Sequence, residues 1–257
     1  MTKTIALYGV MLLCSLQTLQ AQQEGKMETD RPDQTESPYI TKLKYLQGEI
    51  GFNIEKANGL TTLVHPTALW KYGLSKRFEL RLITQVISVK TPLIIPAGNT
   101  INTGLLPVQL GGKLALFEEK GLLPKTSLLF HVAPAKLASK KFQAQKWAPN
   151  FRFSMQNSLS KNISLGYNLG AEWDGESDTP FWIYTLATGF NLGSKWYTYT
   201  EVFGSVRNKE HAEHNADIGF AYSINDDLRA DISSGLSLME KNNWYVAVGV
   251  SFRFSAK

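Results

Sequence analysis

The sequence predicts an all-β protein: a transmembrane antiparallel up-and-down barrel of about twelve strands, with an N-terminal signal peptide and a short polar segment before the first strand. Three observations carry this expectation. In residues 243–254, Trp244, Val246, Val248, Val250, Phe252 and Phe254 share one face, and Tyr245, Ala247, Gly249, Ser251 and Arg253 the other. Side chains alternate faces along a strand, so one face is wholly apolar and the other mostly small or polar. Stretches of this kind recur along the chain, and the links between them alternate in length, as barrels of outer membranes require. The first residues have the pattern of an exported protein.

Taken in order, Lys3, the mostly apolar run Ile5 to Leu16 and the sequence Leu19-Gln20-Ala21 form a signal peptide over residues 1–21. The apolar run is too short to span a bilayer as a helix. A lipoprotein signal centred on Cys14 would need a small residue where Leu13 stands. The only cysteine, Cys14, leaves with the signal, which excludes disulfides, thiolate metal sites and cysteine nucleophiles from the mature chain. No later segment is apolar for long enough to make a membrane helix. The formal charge of +5 would suit nucleic acid, but no basic run exceeds Lys140-Lys141. No nucleic-acid partner is therefore expected.

Residues 22–44 are polar and non-periodic, a possible lumen or periplasmic plug. The barrel is expected over 45–257, with strands near 45–56, 61–73, 77–88, 105–118, 126–135, 147–159, 162–173, 181–192, 195–207, 212–223, 228–239 and 243–254. Tight turns at Leu74-Ser75-Lys76, Ser160-Lys161, Gly193-Ser194 and Asn225-Asp226-Asp227 are assigned to the periplasmic side, and the longer links 89–104, 136–146, 174–180 and 208–211 to the outside. Residues 119–125 and 57–60 break this alternation. Trp173, Trp182, Trp196, Trp244, Tyr184 and Tyr222 fall near strand ends, where aromatic girdles meet headgroups. Alternation alone also fits a soluble sandwich or lipocalin-like barrel with its apolar faces inward.

Two segments add a resemblance. The block Glu28-Thr29-Asp30-Arg31-Pro32-Asp33-Gln34-Thr35-Glu36-Ser37-Pro38 and the terminal Val248-Gly249-Val250-Ser251-Phe252-Arg253-Phe254 resemble the meta-pathway phenol-degradation, transporter-like outer-membrane proteins of the Bacteroidota type. Tyr72-Gly73-Leu74, Glu79-Leu80-Arg81 and Asp217-Ile218-Gly219-Phe220-Ala221-Tyr222 extend it over nearly all of the mature chain. The resemblance implies a porin-like β-barrel in the bacterial outer membrane that moves small molecules, hydrophobic or aromatic ones among them. Barrel-assembly machinery and outer-membrane lipid are the implied partners. The strand aromatic that such machinery reads would be Phe254, here followed by Ser255-Ala256-Lys257.

Function would sit in the lumen. By alternation the inward candidates are Glu79, Arg81, Gln109, Lys113, Arg152, Gln156, Asn168, Glu172, Glu201, Asp217, Arg229, Asp231 and Arg253. Buried charges need partners, so the set reads either as a stiffening ion-pair network or as a selective constriction. In the N-terminal motif, Pro32 and Pro38 hold extended backbone without donors. Such a segment cannot face lipid. It is expected either to enter the lumen or to lie as a tether against the rim.

His211-Ala-Glu-His214 puts its rings on opposite faces of a strand, so no metal site is expected there. His65 and His131 read as satisfied wall residues. No serine lies in a nucleophile motif and no phosphate loop or dinucleotide fingerprint follows a strand, so neither catalysis nor a cofactor is expected. A transport barrel, a barrel closed by its own side chains and a membrane-embedded lipid-modifying enzyme compete in that order.

Overall fold

Pairing starts where the polar segment ends. A computed structural model describes residues 25–93, 98–208 and 210–256; the expected signal peptide lies outside them. Its strands are β1 (Tyr45–Ala57), β2 (Leu60–Ser75), β3 (Phe78–Leu93), β4 (Gly98–Leu105), β5 (Gln109–Phe117), β6 (Lys125–Ala133), β7 (Ala148–Ser158), β8 (Ile163–Glu172), β9 (Phe181–Leu192), β10 (Trp196–Val206), β11 (Glu213–Asn225), β12 (Leu228–Ser237) and β13 (Trp244–Ser255). Apart from β4 and β5, sequential strands pair antiparallel around the sheet, and β1 meets β13 from Tyr45↔Ser255 to Lys56↔Trp244, which closes it.

β3 pairs with β5 through Phe78–Ile83 and with β4 through Val86–Leu93. β4 and β5 therefore occupy one wall position in succession, and the barrel has the twelve positions expected. The break falls at Leu106-Pro107-Val108, where Pro107 has no N–H for a ladder; Val108 N instead donates to Leu137 O at 3.0 Å. This corrects the reading of 89–104 as a long loop, because most of it is a hairpin rising above the barrel. Its β-branched residues, Val89, Thr91, Thr100, Ile101 and Thr103, favour pairing and outweigh the turn signals of Pro92, Gly98 and Asn99. The short first outer link is a two-residue hairpin, with Asn58 at φ 52° and Gly59 at φ 77°, the left-handed pair of a type I′ turn.

The faces decide between lipid and a dry core. Phe52, Leu169, Ile218, Phe220, Ile232, Leu236 and Val248 all point outward and are more than a third exposed, whereas Gln47, Glu49, Lys71, Glu79, Lys113 and Asn168 are buried inside. A water-soluble barrel has the reverse arrangement, so the exterior is built for acyl chains. Trp182 and Trp244 are exposed toward the long-loop end. Trp196 packs on Tyr222 at 4.7 Å near the short-turn end. Trp173 departs from the expected girdle: its indole Nε1 donates to Asp178 O within the loop, and the residue lines a cavity of the lumen.

Aromatic rings lie repeatedly over glycines of the neighbouring strand. A methyl at Gly219 would lie 2.5 Å from the Tyr199 ring, one at Gly235 2.4 Å from Tyr245, and one at Gly112 2.8 Å from Phe78. Such pairs cover bare backbone and fix register. On the inner wall they also hold tyrosine hydroxyls at fixed points of the lumen.

Candidate functional site

Twelve strands at the usual spacing and tilt give a backbone radius of roughly 12 Å, more than wall side chains alone can fill. Residues 27–42 occupy this space. The segment starts at the short-turn rim, where Met27 N donates to Asp226 O at 2.9 Å. It crosses the lumen and returns to the same rim at Tyr45. Along the way it hangs on the wall by its backbone. Glu49 accepts from the N–H groups of Asp30 and Arg31 at 3.1 and 3.0 Å. Glu201 accepts from Gln34 N at 2.8 Å, Asn168 from Glu36 N at 2.7 Å, and Glu79 from Thr41 N at 2.6 Å. Lys113 donates to Ser37 O at 2.7 Å and Ser127 to Pro38 O at 2.6 Å, while Ser154 donates to Glu36 O. Tyr199 Oη donates to Pro32 O at 3.2 Å. The segment has no strand partner, and these side chains satisfy backbone groups that would otherwise be stranded in the bore.

Its charges meet the wall in one cluster. Asp30 accepts from Lys71 at 2.9 Å, Arg81 at 2.8 Å and Lys113 at 3.0 Å. Arg81 also pairs with Glu79 and Glu36, both at 3.0 Å, and Lys71 with Glu49 at 2.5 Å. Both Arg81 and Lys113 side chains are completely shielded from solvent. Four carboxylates thus surround three cations, the compensation that buried charge demands. His131 closes the cluster. Its Nε2 accepts from Arg81 Nε and its Nδ1 faces Asn150 Oδ1, each at 3.2 Å. Gly111 leaves the room for that ring, since a methyl there would lie 2.5 Å from it.

A second fastening involves Arg31, which grips Asp231 at 2.8 Å in a groove between two glycines. A methyl at Gly51 or Gly249 would lie 2.3 Å from a guanidinium nitrogen of Arg31. The double variant Gly51→Ala/Gly249→Ala is expected to expel Arg31 and leave Asp231 unpaired, at a cost of about 1–3 kcal/mol. A lower midpoint in heat-modifiable gel migration would report it, and an unchanged midpoint would count against this fit.

The other inward candidates separate by depth. Arg152 and Glu172 pair with each other toward the long-loop end. Asp217 accepts from the Tyr245 hydroxyl, and Tyr199 Oη lies 3.5 Å away. Arg229 faces the Tyr197 ring at 4.9 Å. Arg253 lies at the rim rather than in the bore. It pairs with Asp227 at 2.5 Å and donates to Gly25 O. Gln47, Glu49, Lys71, Tyr199 and Tyr245 also face the lumen, outside the inward set expected from alternation. The strict alternation of Gln47, Glu49, Gly51 and Asn53 with Gly48, Ile50 and Phe52 could have found the first two.

The segment divides the remaining space. A cavity of about 360 Å³ opens toward the long loops, lined by Leu106, Pro107, Leu129, Asn150, Arg152 and Trp173 among others. Another, of about 240 Å³, opens at the short-turn mouth around Thr29, Asp33, Tyr39, Tyr197 and Arg229. No residue lines both. Above the first cavity, Asp174 in the β8–β9 loop binds Arg207 at 2.6 Å. Burial pushes the Asp174 carboxyl up, but N–H groups of Ser177 and Glu176 and the Arg207 guanidinium outweigh it and hold the group at about 2. A depressed value means that this clasp supports the loop fully above the ordinary carboxylate range and is lost as pH falls through about 2. Aspartate carboxyl titration by NMR should show that midpoint, and Arg207→Ala should return it toward the ordinary range.

Residues 29–254 match the family described as "Putative MetA-pathway of phenol degradation". No curated protein matches the chain. Among solved structures, the COG4313 outer membrane channel from Pseudomonas putida F1 is similar with a TM-score of 0.65 and 12% identity, over 88% of this chain and 100% of that one. The NanC porin has a TM-score of 0.54 and 10% identity, over 80% and 98%. The KdgM porin, solved with disordered oligogalacturonate, has 0.52 and 10%, over 80% and 99%. At such identities the likeness is one of fold: a closed antiparallel barrel of the bacterial outer membrane.

Proposed function

The chain belongs to the family described as "Putative MetA-pathway of phenol degradation", and on that premise we propose that it passes small solutes across the outer membrane through a lumen whose bore the N-terminal segment sets. The carrying observation is the pair of cavities, one at each mouth, parted by a segment that belongs to no strand. A barrel that only needed a filled interior could close itself with wall side chains, as narrower barrels do. Here the filling is a piece of chain held by hydrogen bonds and ion pairs rather than by sheet.

The apolar part of the outer cavity, Leu106, Pro107, Leu129 and Trp173, supports uptake of small molecules with a hydrophobic body. Amide and imidazole groups of Gln109, Asn150 and His131 in the same lining would meet a hydroxyl or carbonyl. This reading is non-enzymatic and needs no cofactor. Its partners are outer-membrane lipid, the permeant and, during biogenesis, the barrel-assembly machinery.

The second reading, a closed structural barrel, draws on the completeness of the Asp30 cluster. Liposome swelling separates the two. Under the transport reading, vesicles carrying the intact chain admit small aromatic alcohols faster than empty vesicles do. Equal rates for those solutes would favour the closed barrel.

A further inference from the structure

We propose that the cavity at the short-turn mouth binds a small oxyanion, a carboxylate or phosphate group, with Arg229 as its charged anchor. The inference rests on the transport reading and deepens it by naming the charge class handled on the periplasmic side.

The basic side chains around this cavity are Lys26, Arg31, Lys161, Lys195 and Arg229, whereas its carboxylates are Glu28 and Asp33. Arg31 is engaged by Asp231 at 2.8 Å. Arg229 is not engaged: among the described residues no carboxylate forms a salt bridge with it, and its Nε is shut off from solvent without a hydrogen-bond partner. The inward cations Lys71, Arg81, Lys113 and Arg152 all have carboxylate partners, which makes Arg229 the exception in the bore. Arg229 is only half-buried, and Glu28 and Asp33 share its lining without forming a salt bridge to it, so its fork stays open to an incoming charge.

The geometry suits an incoming anion. The guanidinium carbon lies 4.9 Å from the centre of the Tyr197 ring, and contact with an aromatic face restrains a planar fork that can meet two oxygens at once. Carboxylate and phosphate take such forks bidentately. Hydroxyls of Ser160, Ser164, Ser223 and Tyr197 line the same space and can complete the shell. The cavity at the other mouth has the opposite balance, Glu36, Glu172 and Asp174 against Arg152, so the preference belongs to one end of the lumen.

The test uses the full chain in detergent, titrated calorimetrically with inorganic phosphate and, separately, with benzoate. Binding of either is expected, and the one that binds identifies the oxyanion type. Arg229→Gln should weaken it at least tenfold, while Arg229→Lys, which keeps the charge but loses the fork, should fall between. Heat-modifiable migration of both variants checks that the barrel is intact. In planar bilayers the same anion should reduce current at about tenfold lower concentration from the short-turn side than from the loop side. A chain that carries no current would remove the transport reading, while calorimetry would still decide the site. Equal affinity in the parent and Arg229→Gln, or no binding of either anion, overturns the proposal.

Discussion

Deleting residues 28–38 is expected to convert a nearly closed barrel into an open pore, with small-sugar permeation in liposome swelling rising at least tenfold. The reason is geometric. A wall of roughly 12 Å backbone radius, less the reach of its side chains, leaves a water-filled bore that a monosaccharide clears easily. What obstructs that bore is the segment that holds Asp30, Glu36 and their partners. Their removal strands no charge in a dry place, because water replaces the segment and rehydrates Lys71, Arg81 and Lys113.

A cross-link distinguishes obstruction from damage. Thr35 Oγ1 and Thr185 Oγ1 lie 2.6 Å apart, so cysteines at both positions fall within disulfide reach. The only natural cysteine is Cys14, within the expected signal. Under oxidising conditions the Thr35→Cys/Thr185→Cys chain should conduct less than the parent, and reduction should restore the parent's low conductance. If the deletion leaves permeation unchanged, the segment is not the barrier.

Replacing Asp30 with alanine is expected to have the largest effect on stability, a loss of about 3–5 kcal/mol, because it removes one partner from three buried ion pairs while the segment keeps water out. Lys71, Arg81 and Lys113 retain Glu49, Glu79 and Glu36, but Lys113 is left with carboxylates at only 3.8 and 3.9 Å. The substitution should not by itself open the bore. The backbone bonds from Glu49, Glu201, Asn168 and Ser127 remain, each worth about 1 kcal/mol net. Unfolding in urea, followed by loss of the heat-modifiable band, measures the first expectation. Parent-like swelling rates measure the second. A variant as stable as the parent would show that the cluster is hydrated rather than dry.

Much of the barrel was legible because a strand in lipid must alternate. Ile218 and Phe220 against Asp217 and Gly219, or Val248 and Val250 against Gly249 and Ser251, separate the two faces without coordinates, and the exposure of the apolar face then shows which one meets lipid. Turn chemistry also placed the short-turn end correctly. In residues 89–104, Pro92, Gly98 and Asn99 suggest a loop, whereas pairing with β3 makes a projecting hairpin from the same residues. Trp173 was misassigned because strand β8 ends one residue earlier, and beyond a strand the alternation rule no longer applies.

The site was half legible. Inward charges such as Glu79, Arg81 and Lys113 follow from periodicity, but their convergence on Asp30 does not, since Asp30 lies in a segment with no period. Nothing local says where such a segment goes. That information is spread over the wall, in acceptors like Glu49, Glu201 and Asn168 that face inward at heights matching successive N–H groups of residues 30–36.

The route of this segment has a topological consequence. Both of its ends sit at the same mouth, and none of its residues from 27 to 42 is woven into the sheet. It resembles a drawer bolt more than a thread: drawing it out through that mouth would untie side-chain knots but unzip no seam of the cylinder. Losing those contacts would cost no strand pairing, so the wall would stay whole with the bolt home or drawn.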